Sequence, residues 1–458
     1  MELQKENKMG VMPVGRLILN MSLPMILSML VQALYNIVDS VYVSRVSEAA
    51  LTAVSLSFPA QNLMIGLATG TGVGVNALLS RALGAKDNDR ANRVAENGVF
   101  LALVGYAVFL IFGLFASRAF IAAQTAQAEI IQYGEDYLSV VCCLSFGLFG
   151  QVMFERLMQA TGRTVYTMYT QGVGAIINII LDPIFIFGLG PVPALGAKGA
   201  AVATVIGQWS AGVCAFFFNL KYNKATRFDL RQILPDLKIL RFIYTVGLPS
   251  MLTIGLTAIM GYLMNGVFLR FSTTAAAVFG IWLKLQNFGF MPVFGMNNGT
   301  VAIYSYNYGA KKLDRVFGTL RLSLIVAVCV TLAVTLLYEL IPNTLLGLFS
   351  ASDYMRSIGV HALRITVLSL VFGACSVMIS SFMQSLGYAP HSLIITVSRQ
   401  VVFQVTAAWL LSKTGKLELV WFAPLIAEVL GLIVAAFICL KIVEKLRGEQ
   451  AEIIRTHG

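Results

Sequence analysis

Gln32, Tyr35, Asn36 and Asp39 follow one another at spacings of three, one and three inside an apolar stretch, which puts four polar side chains on one face of a helix. Asn178 and Asp182 stand four apart in a second such stretch, and Thr204 and Gln208 four apart in a third. A charged group at a helix centre in a bilayer costs about 2.5–3.5 kcal/mol on insertion scales, so acids in such places need a reason. At a rise of about 1.5 Å per residue, Asp39, Asp182 and Thr204 each lie roughly 6–10 Å inside the same boundary, and one cluster can hold all three. Two carboxylates at one depth in low dielectric cannot both stay charged without compensation. Such a pair binds a proton or a small cation, and Asp39 with Asp182 would be the place for Na⁺. If the acids only tied helices together, an amide or hydroxyl would serve at lower cost. An intramembrane aspartyl protease also uses two acids, but Ile179-Ile180-Leu181 stands before Asp182 where that enzyme has a glycine-rich motif.

Those three stretches imply a membrane scaffold. The chain is 57% hydrophobic and 12% charged with mean hydropathy +0.78, far from a water-soluble protein of 458 residues. Apolar runs long enough to cross about 30 Å of hydrocarbon fall at about 15 to 43, 51 to 80, 92 to 116, 135 to 160, 165 to 187 and 197 to 220, and again at about 240 to 268, 276 to 305, 317 to 340, 358 to 385, 391 to 412 and 419 to 441. The expected fold is an all-α membrane protein of twelve transmembrane helices. Connections are short, leaving no room for a soluble catalytic domain, so no enzyme is expected. The six cysteines fall within or at the ends of apolar helices without metal-ligand spacing, so neither a metal centre nor a cofactor is expected.

The second half repeats the first at a constant offset of 225 residues: Pro24 matches Pro249, Gln61-Asn62 matches Gln286-Asn287, Gly84-Ala85-Lys86 matches Gly309-Ala310-Lys311, and Met158-Gln159 matches Met383-Gln384. At that offset Asp39 falls on Met264 and Asp182 on Ala407, so one scaffold is used twice and the acids are kept in one copy. An even number of helices per half makes the repeats parallel, related by an axis along the membrane normal. Residues 1–220 form one six-helix lobe, 221–240 a charged linker containing Pro235, and 241–458 the second lobe. Lysines and arginines crowd one side (among them Lys8, Arg16, Lys86, Arg163, Lys224, Lys312, Arg315 and Lys445), which makes both termini cytoplasmic. This asymmetry accounts for the net charge of +11 and makes nucleic acid an unnecessary partner.

Further polar and soft residues point to a binding volume between the lobes. Gln61, Lys284 and Gln286 are candidates to line it, with Gln32, Tyr35 and Asn36; so are the adaptable side chains of Met260, Met264 and Met291, with Met296 beside them. Glu155 shares a helix face with Gln151 and Gln159 and either meets substrate or pairs with Arg156 or Arg163. Arg399 and Glu428 are placed to pair across adjacent helices.

Ser22-Leu23-Pro24 through Tyr35-Asn36-Ile37-Val38-Asp39, the run Asn178 to Phe185, Gly196 to Thr204, the Met-Gln…Gly and Gly-Ala-Lys segments of both halves and Ser398-Arg399-Gln400 together resemble the multidrug and toxic compound extrusion (MATE) family, within it the DinF-type branch. The resemblance covers nearly the whole chain. It implies a V-shaped pair of lobes in a cell membrane, the inner membrane of a bacterium, acting as a monomer that exports cationic or amphipathic organic compounds in exchange for H⁺ or Na⁺. It assigns ion coupling to Asp39, Asn178, Asp182 and Thr204. The family's other ion site uses acids on helices 7 and 10, and this chain has none in either. Pro24 weakens helix 1 by leaving a carbonyl unpaired, so neutralising Asp39 would let that helix bend. A lipid-linked oligosaccharide flippase of the same superfamily shares the plan, but with several cations in the cleft.

Overall fold

Apolar side chains at nearly every position leave the backbone only its own polar groups for partners, and the chain answers with helices. The computed structural model describes residues 7–189, 191–226, 235–349 and 352–457, with side chains to 450. Of the expected linker 221–240, residues 227–234 lie outside the described residues. The first half contains α1 (Lys8–Val11), α2 (Val14–Ser44), α3 (Glu48–Gly84), α4 (Asn88–Phe115), α5 (Ser117–Ala122), α6 (Ala128–Cys143), α7 (Phe146–Ala160), α8 (Thr164–Phe187) and α9 (Ala197–Tyr222). The second contains α10 (Leu237–Leu269), α11 (Thr273–Gly309), α12 (Leu313–Leu340), α13 (Pro342–Gly347), α14 (Asp353–Thr366), α15 (Ser369–Ser385) and α16 (Ala389–Val397). A π-helical turn (Ser398–Phe403) then leads into α17 (Gln404–Ser412), α18 (Leu417–Val420) and α19 (Ala423–His457).

Among the described residues nine spans are long and apolar enough to cross a membrane, and eleven when the pairs α6/α7 and α14/α15, bent by 44° and 42°, each count as one. The twelfth helix of the two-lobe plan is α11. It matches α3 in length, but Lys284, Gln286, Asn287, Asn297 and Asn298 make it more polar, and its last third is buried in protein. The bends in the fourth and tenth spans were not expected.

The repeat extends to single atoms. α3, α4 and α5 start and stop 225 residues before α11, α12 and α13. Ser47 caps α3 by accepting from the Ala50 amide at 3.0 Å, and Ser272 caps α11 by accepting from Ala275 at 3.0 Å. Ser80 donates to the Ala160 carbonyl, and Ser305 to that of Ser385. Lys86 and Lys311 both adopt positive φ, 59° and 57°.

The lobes join toward the end of the bundle that carries both chain termini and diverge as a V toward the other. A Cβ on Gly84 would lie 2.0 Å from the Tyr306 carbonyl oxygen, and one on Gly309 would lie 2.1 Å from that of Arg81, so only glycine lets α3 and α11 cross this closely. Arg156 of α7 donates to Asn298 of α11 at 3.0 Å. The short α1 straps the two lobes: Asn7 donates to the Thr161 carbonyl on one side, while Asn307 and Arg315 donate to the Met9 carbonyl on the other. Met9 is buried against Ile303 and Tyr306.

Candidate cation site and cleft

Asp39 lies five residues before the end of α2, Asp182 five before the end of α8, and Thr204 seven after the start of α9, so the three share one depth away from the joined end. Small residues bring their helices together. A Cβ on Gly207 would meet the Gly174 carbonyl at 2.8 Å and the Asn178 side chain at 3.2 Å, so the glycine lets α9 press against α8 beside Asn178. There the Asn178 amide donates to Asp182 Oδ1 at 3.2 Å and points toward Thr204 Oγ1 at 3.5 Å. Asp182 is 0% exposed, and the Asp39 carboxylate lies within its electrostatic reach.

Tyr35 sits beside Gln32 on α2 and in the field of both carboxylates. Tyr137 of α6, which no spacing in the sequence singled out, joins them: its hydroxyl accepts from the Gln61 amide at 3.0 Å and lies near Asp39, Asp182 and Tyr35. A lone tyrosine on a mainly apolar helix face carries no pattern. Its only signal is the fold, which packs α6 against α3 and α9.

The deciding property is what the oxygens lack. Asp39 Oδ1, Asp182 Oδ2, Asn178 Oδ1 and Gln208 Oε1 are buried with no hydrogen-bond donor. An unmatched buried acceptor costs about 1–3 kcal/mol, more when charged. Two of the four are carboxylate oxygens of acids that lie in each other's field, and such oxygens suit a positive charge: a proton shared between acids, or a cation that accepts oxygen ligands. At the same places in the second lobe stand Met264, Ala362, Phe403 and Ala407, opposite Asp39, Tyr137, Asn178 and Asp182.

A two-lobe bundle with the Asp39 and Asp182 pair in one lobe can be compared with known proteins. The profile named MatE matches residues 24–184 and again 249–410, with the two matches starting 225 residues apart at Pro24 and Pro249. The chain belongs to the MatE family. The chain is similar to Multidrug export protein MepA of Staphylococcus haemolyticus, 25% identical over 438 residues that cover 95% of each chain. It also resembles a solved outward-facing multidrug resistance MATE transporter of the MOP superfamily, with TM-score 0.91, 28% identity and coverage of 98% and 100%. A MATE crystal structure in the bent conformation matches with TM-score 0.89, 28% identity and coverage of 96% and 97%.

Other residues of this MatE chain divide between open surface and core. Gln32, Asn36 and Lys284 are exposed, and Gln61, Gln286 and Met291 half-buried; the Lys284 ammonium lies 5.7 Å from the Phe349 ring centre. Met260 and Met264, expected to line the cleft, are instead 4% and 0% exposed inside the apolar core of the second lobe, and Met296 is buried with them. Soft side chains fill irregular cores as readily as pockets. Glu155 pairs with neither arginine: it is buried and accepts from Gln151, Thr170 and Gln171 at 3.1, 2.8 and 2.9 Å. Arg399 and Glu428 do pair, with Nη1 at 2.9 and 3.1 Å from the two carboxylate oxygens. Pro24 lies within an unbroken α2, and Thr164 of α8 donates at 3.4 Å to the Asn20 carbonyl that the proline leaves free.

Proposed function

We propose that this protein exports cationic or amphipathic organic compounds across a cell membrane by exchange with H⁺ or Na⁺, with the end bearing both termini in the cytoplasm. One observation carries the reading: buried oxygens without donors gather around Asp39 and Asp182 in one lobe of a V that is joined at one end. With the termini inside, the open end of the V faces outward, and in this reading external cation approaches the acids from there. Occupation removes the repulsion between carboxylates, draws α2 toward α8 and favours the state in which the lobes open inward. Substrate bound in the cleft favours the ion-free state, so the two cargoes exclude one another and move in opposite directions.

Helix α2 is the element that couples them. It carries Asp39 near one end, and at Pro24 it has one fewer backbone hydrogen bond, held only by the long contact from Thr164. The flippase alternative needs free cations in the cleft. Arg399 is committed to Glu428 in the interior of the second lobe, which leaves Lys284 and favours export of cations over capture of a diphosphate lipid.

The test is efflux of ethidium from everted vesicles under an imposed pH gradient or an imposed Na⁺ gradient. One gradient should drive it in the native chain and neither in Asp39→Asn. Full gradient-driven efflux by Asp39→Asn would sink the coupling scheme, and no efflux under either gradient would sink the export reading.

A further inference from the structure

A cavity of about 1260 Å³ opens at the joined end of the molecule, well away from the acids. Four cations line it: Lys8 on the α1 strap, Lys86 at the α3–α4 corner, Arg163 at the α7–α8 corner and Lys224 after α9. No aspartate or glutamate lines it among the described residues, and none of the four forms an ion pair with a described carboxylate. The acid next to Lys86, Asp87, is committed to capping α4, where it accepts from the Arg90 amide at 3.0 Å. The Lys8 ammonium donates to the Asn20 side chain, and burial together with the neighbouring Arg163 holds it below the ordinary lysine value. The second lobe contributes Tyr306 to the wall, so the cavity is completed across the lobe junction.

Four cations without a carboxylate partner converge here from separate corners beside the Asn88 amide and the Tyr166 hydroxyl, and they match a group with several negative oxygens. We propose that this cavity is a binding site for a phosphate-bearing anion, either a lipid headgroup or a soluble phosphate compound. Its side of the molecule is the one where anionic headgroups and soluble phosphates both meet basic clefts between helices, if the termini are cytoplasmic. Binding itself does not depend on that orientation or on the transported cargo.

The experiment follows thermal unfolding of the full chain in neutral detergent against rising inorganic pyrophosphate, and separately against micelles doped with phosphatidylglycerol or with phosphatidylcholine. Sodium chloride at matched ionic strength serves as the screening control. We expect stabilisation by pyrophosphate or by phosphatidylglycerol, beyond that of chloride or phosphatidylcholine, with the effective source naming the ligand. In the double variant Lys86→Gln/Lys224→Gln, at two exposed positions, the midpoint should rise at least tenfold in concentration, while Lys413→Gln at the opposite end leaves it unchanged. No stabilisation by either anion, or an equal response in the double variant, would overturn the proposal.

Discussion

At the scale of single residues the cation cluster is asymmetric in what it can give up. In the proposed site Asp39 and Asp182 would supply charge; Asn178 donates to Asp182, while Thr204 and Tyr137 touch the cluster through Asn178 and Gln61. Removing one such group costs about 1–1.5 kcal/mol, or roughly a tenfold loss of ion affinity. Thr204→Val and Tyr137→Phe should therefore each raise the ion concentration for half-maximal efflux by up to about tenfold while leaving maximal efflux in place; loss of all efflux in either would mean a structural role. That Asp39, Asn178, Asp182 and Thr204 share one depth was legible in the sequence, because an acid inside an apolar helix is costly and i, i+4 spacing fixes its face. Tyr137 was not, because an amphipathic side chain is at home on any helix in a membrane. Met260 and Met264 misled for the related reason that methionine suits a core and a pocket equally.

Individual helices show where the two copies of the scaffold have been put to different use. In the first lobe α8 and α9 cross at Gly174 and Gly207 and leave oxygens free just beyond; in the second, the same crossing holds Arg399 at a π-helical turn, paired with Glu428 and packed under Gly431. A buried pair stripped of one partner costs about 3–5 kcal/mol. Glu428→Gln should accordingly lower the melting temperature of the purified protein sharply while sparing the ion dependence of whatever efflux survives; an unchanged melting temperature would show that the pair is dispensable. Helix α2 makes the opposite prediction. Pro24→Ala restores a backbone donor to the Asn20 carbonyl, so melting temperature should hold or rise while efflux falls several-fold, and a native efflux rate would remove Pro24 from the mechanism. Helix positions were readable from apolar run lengths, but the bends between α6 and α7 and between α14 and α15 were not, since no proline or glycine pair marks Leu144-Ser145 or Val367-Leu368.

For the molecule as a whole, the repeat makes the joined end a crossing of equivalents: Gly84 against Tyr306 and Gly309 against Arg81 are the same contact seen from each lobe. A side chain at either glycine must push α3 and α11 apart. Gly84→Val and Gly309→Val should widen the distance between spin labels at the exposed Lys86 and Lys311 and slow efflux, with the double variant no worse than about the sum of the two; unchanged distances would mean that the lobes pivot elsewhere. The duplication itself was plain in the sequence, down to the residue pairs. Its two-sided use was legible as well, as missing acids in the second half and as Arg399 and Glu428 placed to pair across adjacent helices. The central claim is that one lobe holds the coupling ion and that substrate displaces it. The most direct measurement is the release of H⁺ or Na⁺ from purified protein on addition of saturating ethidium, compared among the native chain, Asp39→Asn and Glu428→Gln. The account predicts release by the native chain and by the folded fraction of Glu428→Gln, and none by Asp39→Asn; native-sized release from Asp39→Asn would contradict it.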